Sequence, residues 1–132
     1  MTERAEQEAF VHYVHSAYLR RADFLPRLFF HVPNGVKLGG HSSHAMMNAL
    51  KRQGFVNGVA DMLYLQPRGR FAYLALELKT EERLRERTGG LSADQQEWLA
   101  QAGTARAMVC VCYGLDQAIA KFDEYMRHPP AL

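Results

Sequence analysis

Apolar residues along the chain fall into helical and extended periods. Phe10, Tyr13, Val14, Ala17 and Tyr18 recur at helical spacing, which predicts a helix over residues 3–21 with one apolar face. Pro26 blocks its continuation. Leu28-Phe29-Phe30-His31-Val32 is a short aromatic and apolar run, as a strand requires. Pro33-Asn34-Gly35 signals a turn, and Gly39-Gly40 lies in a polar loop. Ser42 or Ser43 opens a second helix through Met46, Ala49 and Leu50, with Gly54 as its stop. Residues 61–66 and 71–79 read as strands, and Pro67-Arg68-Gly69-Arg70 between them makes the pair a hairpin. The charged stretch 80–90 reads as a mobile connection. Ser92 opens a third helix with Trp98, Leu99 and Ala102 on one face. Residues 107–113 form an apolar strand, and Leu115, Ala118, Ile119, Phe122, Tyr125 and Met126 mark a last helix. The order α-β-α-β-β-α-β-α predicts an α/β fold, a mixed β-sheet flanked by α-helices.

At 132 residues the chain is expected to form one domain over 1–132. Its 48% hydrophobic and 23% charged content excludes disorder. No apolar run approaches the roughly 20 residues of a membrane span, and the charged N-terminus is unlike a signal peptide. Cys110 and Cys112 share one face of a strand and are expected to be buried free thiols, which suits a reducing cytoplasm. The net charge of +2 hides an asymmetry. From Arg20 to Arg70 eight basic residues and two acids give +6, leaving −4 elsewhere. A basic middle segment suggests a polyanionic partner.

The hairpin supplies candidate chemistry. With its turn centred near residue 69, positions summing to about 138 face each other, which sets Asp61 opposite Glu77. Opposed like charges destabilise a sheet unless a proton, a basic group or a cation offsets them. Glu77 and Lys79 share a face, while Leu78 points to the other and leaves its carbonyl beside the carboxylates. Such oxygen donors suit Mg²⁺ or Mn²⁺, and the lysine suits charge stabilisation or orientation of a water. By itself Glu-x-Lys also fits an exposed strand end. Gln95 lies three, four and seven residues before Trp98, Leu99 and Ala102, on the buried stripe of its helix. It equally completes a capping box with Ser92. Glu6 extends the apolar stripe of the first helix, whereas Glu8 lies on a polar flank; an acid in a first turn also suits the helix dipole. Asn34, Lys37, His41 and His44 decorate the Gly-rich loop, either as phosphate contacts or as loop surface. His41-x-x-His44 lacks the partners of a zinc site.

Together these residues resemble the virus-type replication-repair nuclease (VRR-NUC) family of the PD-(D/E)XK superfamily. The resemblance is carried by Glu6-Gln7, Val32-Pro33-Asn34-Gly35, Leu50-Lys51-Arg52-Gln53-Gly54, Gly58-Val59-Ala60-Asp61, Leu76-Glu77-Leu78-Lys79 and Gly90-Leu91-Ser92-Ala93-Asp94-Gln95. It implies a restriction-endonuclease-like core and a divalent-metal-dependent DNA endonuclease. It implies further that Asp61, Glu77 and the Leu78 carbonyl bind Mg²⁺ or Mn²⁺ and that Lys79 orients the attacking water. Gln95 would be the helix-borne site residue and Glu6 the acid of the first helix. Asn34, Lys37 and Lys51 would meet DNA. Ala60 stands where the family often has proline, which affects backbone stiffness rather than chemistry. Short members of the family are phage and bacterial homodimers acting on branched DNA such as four-way (Holliday) junctions. A restriction- or repair-type nuclease on duplex or flap DNA, or a non-catalytic DNA-binding module, is the alternative.

Overall fold

The computed structural model describes residues 1–33 and 43–131. Helix α1 (Glu3–Tyr18) opens on Thr2, whose hydroxyl accepts the Ala5 amide at 3.1 Å. It ends three residues before the expected 21. There the Arg21 amide turns back to the Tyr18 carbonyl, and Phe24 folds into the core. Strand β1 (Phe29–His31) and helix α2 (Ser43–Arg52) follow, then strands β2 (Met62–Tyr64) and β3 (Tyr73–Lys79). Helix α3 (Ala93–Thr104), strand β4 (Ala107–Tyr113) and helix α4 (Leu115–Arg127) complete the chain. Every predicted helix and strand is present; α1, β1, β2 and β3 are shorter than expected, and β4 has the expected bounds.

The sheet order is β1-β2-β3-β4. The first two pairings are antiparallel, and β3 runs parallel to β4 with α3 as the crossover. Side chains alternate across β3. Leu74, Leu76 and Leu78 enter one core with Met62, Tyr64, Cys110 and Cys112. That core is closed by Phe10, Val14 and Tyr18 of α1 and by Ala118, Phe122 and Tyr125 of α4. Phe122 is fully buried, with ring centroids 5.3 Å from Tyr18, 5.4 Å from Phe29 and 6.0 Å from Phe10. Burial of one such ring stabilises the fold by about 2–3 kcal/mol. On the opposite face Ala75, Ala107, Val109 and Val111 pack with Trp98, Leu99 and Ala102 of α3. The period of two therefore sends Glu77 and Lys79 to the α3 face, at the C-terminal end of β3.

Two expectations are corrected here. Residues 80–90 are not a loose connection but a 3₁₀ turn over Glu81–Arg85 followed by a kinked turn over Arg87–Gly90, in which Thr88 and Gly89 take left-handed φ of 61° and 62°. Arg83 donates to Glu86 and to the Gly90 carbonyl, and the Tyr113 hydroxyl donates to the Gly89 carbonyl at 2.8 Å. Arg68, counted above with the basic segment, is interior at 1% exposure. Its guanidinium donates to Gln66 Oε1, the Met126 and His128 carbonyls, and both the carbonyl and carboxylate of Asp23, at 2.8–3.0 Å. All five of its N–H groups are used, so it ties a turn to two distant segments and offers nothing to a polyanion.

The remaining basic residues divide between places. Arg70 lies beyond Tyr73, the N-terminal end of β3, which is itself about 20 Å along the strand from Lys79. Arg21 is paired with Asp23. Lys51 is exposed in the last turn of α2. Among the described residues no helix is long and apolar enough to cross a membrane.

Candidate active site

The β2–β3 register pairs Met62 with Leu76 and Tyr64 with Leu74, the sum of 138 that the turn predicts. One step further, Asp61 meets Glu77. The Asp61 amide donates to Glu77 Oε1 at 3.1 Å, and the Leu78 amide donates to Asp61 Oδ2 at 2.7 Å. The approach to Asp61 depends on Gly58. Its φ is +85°, and a Cβ there would lie 2.5 Å from the Asp94 carbonyl carbon and 2.7 Å from the Gln95 amide nitrogen. Only glycine lets the 58–61 segment run against the start of α3.

Glu77 is 1% exposed and Lys79 5%. Gln95 joins them. Its Nε2 donates to Glu77 Oε2 at 2.9 Å, and its Oε1 accepts from Lys79 Nζ at 3.3 Å. The same Oε1 accepts the Ser92 amide at 2.9 Å, and Ser92 Oγ accepts the Gln95 amide at 3.1 Å. The capping box and the site contact are therefore both made, by one side chain at once. Lys79 Nζ stands 4.0 Å from Glu77 Oε2.

Burial raises the Glu77 carboxyl well above the usual carboxylate range, and the charge of Asp61 raises it further; Lys79 acts the other way and more weakly. A carboxylate pair of this kind, with Glu77 buried and Asp61 at the edge of solvent, favours a bound cation. The donors are hard oxygens from Asp61, Glu77 and the neighbouring backbone, which fits Mg²⁺ or Mn²⁺. Among the described residues no three His, Cys, Asp or Glu side chains converge on one point. A metal here would use the two carboxylates with the Leu78 carbonyl and keep water or phosphate as its other ligands, as Mg²⁺ commonly does.

A cavity of about 430 Å³ opens beside Asp61, bordered by His31 and by Glu3, Arg4, Gln7 and Glu8 of α1. Glu6 sits on the same helix but outside that lining. One of its carboxylate oxygens is buried without a hydrogen-bond partner. Burial raises the Glu6 carboxyl, with Glu81 and Glu82 adding to the effect. Glu8 borders the cavity and pairs with Arg4 at 3.3 Å. His31 is the residue that the sequence reading passed over. Its place beside Asp61 follows from the β1–β2 register, which pairs it with Met62. Asn34, Lys37 and His41 lie outside the described residues.

No family model matches the sequence, and no curated protein matches it. Among solved structures the fold is similar to that of a VRR_NUC domain protein. The TM-score is 0.75 over 98% of this chain and 92% of the other, at 19% sequence identity. The chain has the restriction-endonuclease-like α/β fold, with its four-stranded mixed sheet between helices.

Proposed function

We propose that this protein is a divalent-metal-dependent DNA endonuclease, selective for branched DNA such as four-way junctions and active as a homodimer. One observation carries the reading: Asp61, Glu77, Lys79 and Gln95 form a single hydrogen-bonded group at one end of the sheet. The similarity in fold to a VRR_NUC domain protein supports nuclease chemistry. The preference for branched DNA rests on the sequence motifs alone.

Asp61, Glu77 and the Leu78 carbonyl would hold Mg²⁺ or Mn²⁺. Such a cation lowers the pKa of a bound water and offsets the charge of the scissile phosphate. Lys79 contributes an ammonium that Gln95 and Glu77 keep at a fixed position, where it stabilises negative charge developing on the phosphate. Gln95 holds Glu77 Oε2, so the carboxylate cannot rotate away from Asp61. One site nicks one strand, so symmetric resolution of a junction needs two sites related by a twofold axis.

The test is a panel of linear duplex, flap and four-way junction DNA with Mg²⁺ or Mn²⁺, against EDTA and Glu77→Ala. Metal-dependent cutting of the junction, absent in the variant, is the expected result. Equal cutting of linear duplex removes the branch selectivity and leaves a restriction- or repair-type nuclease. Binding without metal-dependent cutting leaves a DNA-binding module.

A further inference from the structure

Strand β1 and the residue that follows it direct two donors at one acceptor. The Asp61 carbonyl accepts the Val32 amide at 2.8 Å and lies 2.9 Å from His31 Nδ1. A carbonyl oxygen carries no proton, so His31 Nδ1 is the donor, and the neutral ring keeps its hydrogen on that nitrogen. The other main-chain group of Asp61, its amide, is committed to Glu77 Oε1. Asp61 stands one residue outside β2, where the regular ladder no longer holds it. Its backbone is instead gripped from both sides, by β1 through the carbonyl and by β3 through the amide. The His31 ring is exposed and borders the same cavity as Asp61.

We propose that His31 is a positioning residue for Asp61, acting through the Asp61 main-chain carbonyl to keep the carboxylate aimed at the cation site. The value of that aim rests on the nuclease reading above; the hydrogen bond itself does not. Partners of this kind are commonly worth tenfold or more in metal affinity.

The experiment compares wild type with His31→Ala, His31→Asn and His31→Gln, using calorimetric titration of the metal-free protein with Mn²⁺. Asparagine carries its amide at the Nδ1 position and glutamine at the Nε2 position. His31→Ala and His31→Gln are expected to weaken Mn²⁺ binding about tenfold, with His31→Asn restoring most of it. A ring-nitrogen NMR spectrum of the metal-free wild type at alkaline pH is expected to show the hydrogen on Nδ1. Equal Mn²⁺ affinity in wild type and His31→Ala overturns the positioning role. So does equal weakening by Asn and Gln, or a hydrogen on Nε2. A wild type that binds no Mn²⁺ overturns the metal reading itself, and the positioning role with it.

Discussion

Asp61 and Glu77 face each other where the β2–β3 register runs out, with the amide of one donating to the carboxylate of the other at 3.1 Å. Two acids in this arrangement, one of them buried, stabilise a cation better than they stabilise the fold. The raised Glu77 carboxyl sets the sign of the pH effect. An acid whose pKa rises on folding binds its proton more tightly in the folded state. Metal-free stability therefore falls as pH climbs from the ordinary glutamate range through the raised value. Asp61→Asn keeps an acceptor for the Leu78 amide and turns a donor toward Glu77. It is expected to add about 1 kcal/mol to metal-free stability near neutral pH, to flatten the slope and to abolish cleavage. Thermal unfolding across a pH series in EDTA measures this, and an unchanged slope contradicts it.

Gln95 separates into two roles by mutation. Gln95→Ala removes both the cap and the contact with Glu77, whereas Ser92→Ala removes only the hydroxyl cap. Each is expected to cost about 1 kcal/mol of stability. Only Gln95→Ala should slow DNA cleavage, by about tenfold, the rate equivalent of one hydrogen bond to a charged group. Paired denaturation and cleavage assays separate the two, and equal slowing by both variants contradicts the site role.

Arg68 is a structural cation. Arg68→Met leaves Gln66 and the Met126 and His128 carbonyls without their donor while Asp23 keeps Arg21, and the expected loss is about 3 kcal/mol. Asp23 gives the acid side of the same cluster. Hydrogen bonds from Arg21 and then Arg68 hold its carboxyl well below the usual range. Its stabilisation is thus complete above the unfolded aspartate value of about 3.9 and is lost as pH falls toward the lower folded value. Asp23→Asn should reduce the acid-denaturation slope below about pH 4 while leaving the slope near neutrality alone. Urea titrations across pH read both variants.

The two thiols should be silent in the folded protein. Burial pushes Cys110 up to about 11 and Cys112 up to about 12, so almost no thiolate forms near neutral pH. A chromogenic disulfide reagent is expected to titrate neither thiol natively and both in denaturant. Fast native labelling would show that this strand opens.

The hairpin was legible because a turn centre and a period of two suffice to pair Asp61 with Glu77, without reference to the rest of the chain. Gln95 was legible as two alternatives because helical spacing fixes a face; the folded side chain makes both contacts at once. Arg68 was misread because a lone arginine in a turn has no periodicity to mark it as interior. Its acceptors come from residues 23, 66, 126 and 128, whose meeting is a tertiary event. The 80–90 segment was misread for a related reason. Part of its order comes from Tyr113, which no local pattern connects to Gly89. His31 depended on β1 lying next to β2, a pairing reached through residues 34–60 and invisible to local spacing.

The spread of those Arg68 acceptors also bears on the order of folding. The hairpin turn cannot satisfy its guanidinium until Met126 and His128 have arrived, some sixty residues later in the chain. A nascent chain that has produced both carboxylates and Lys79 already holds Gln66 and Asp23 for Arg68, and only the two acceptors of Nη1 are still to come. The Met126 and His128 carbonyls are thus the part of the Arg68 site that the chain supplies late, and the turn is fully tied down only when the end of α4 has docked beside it.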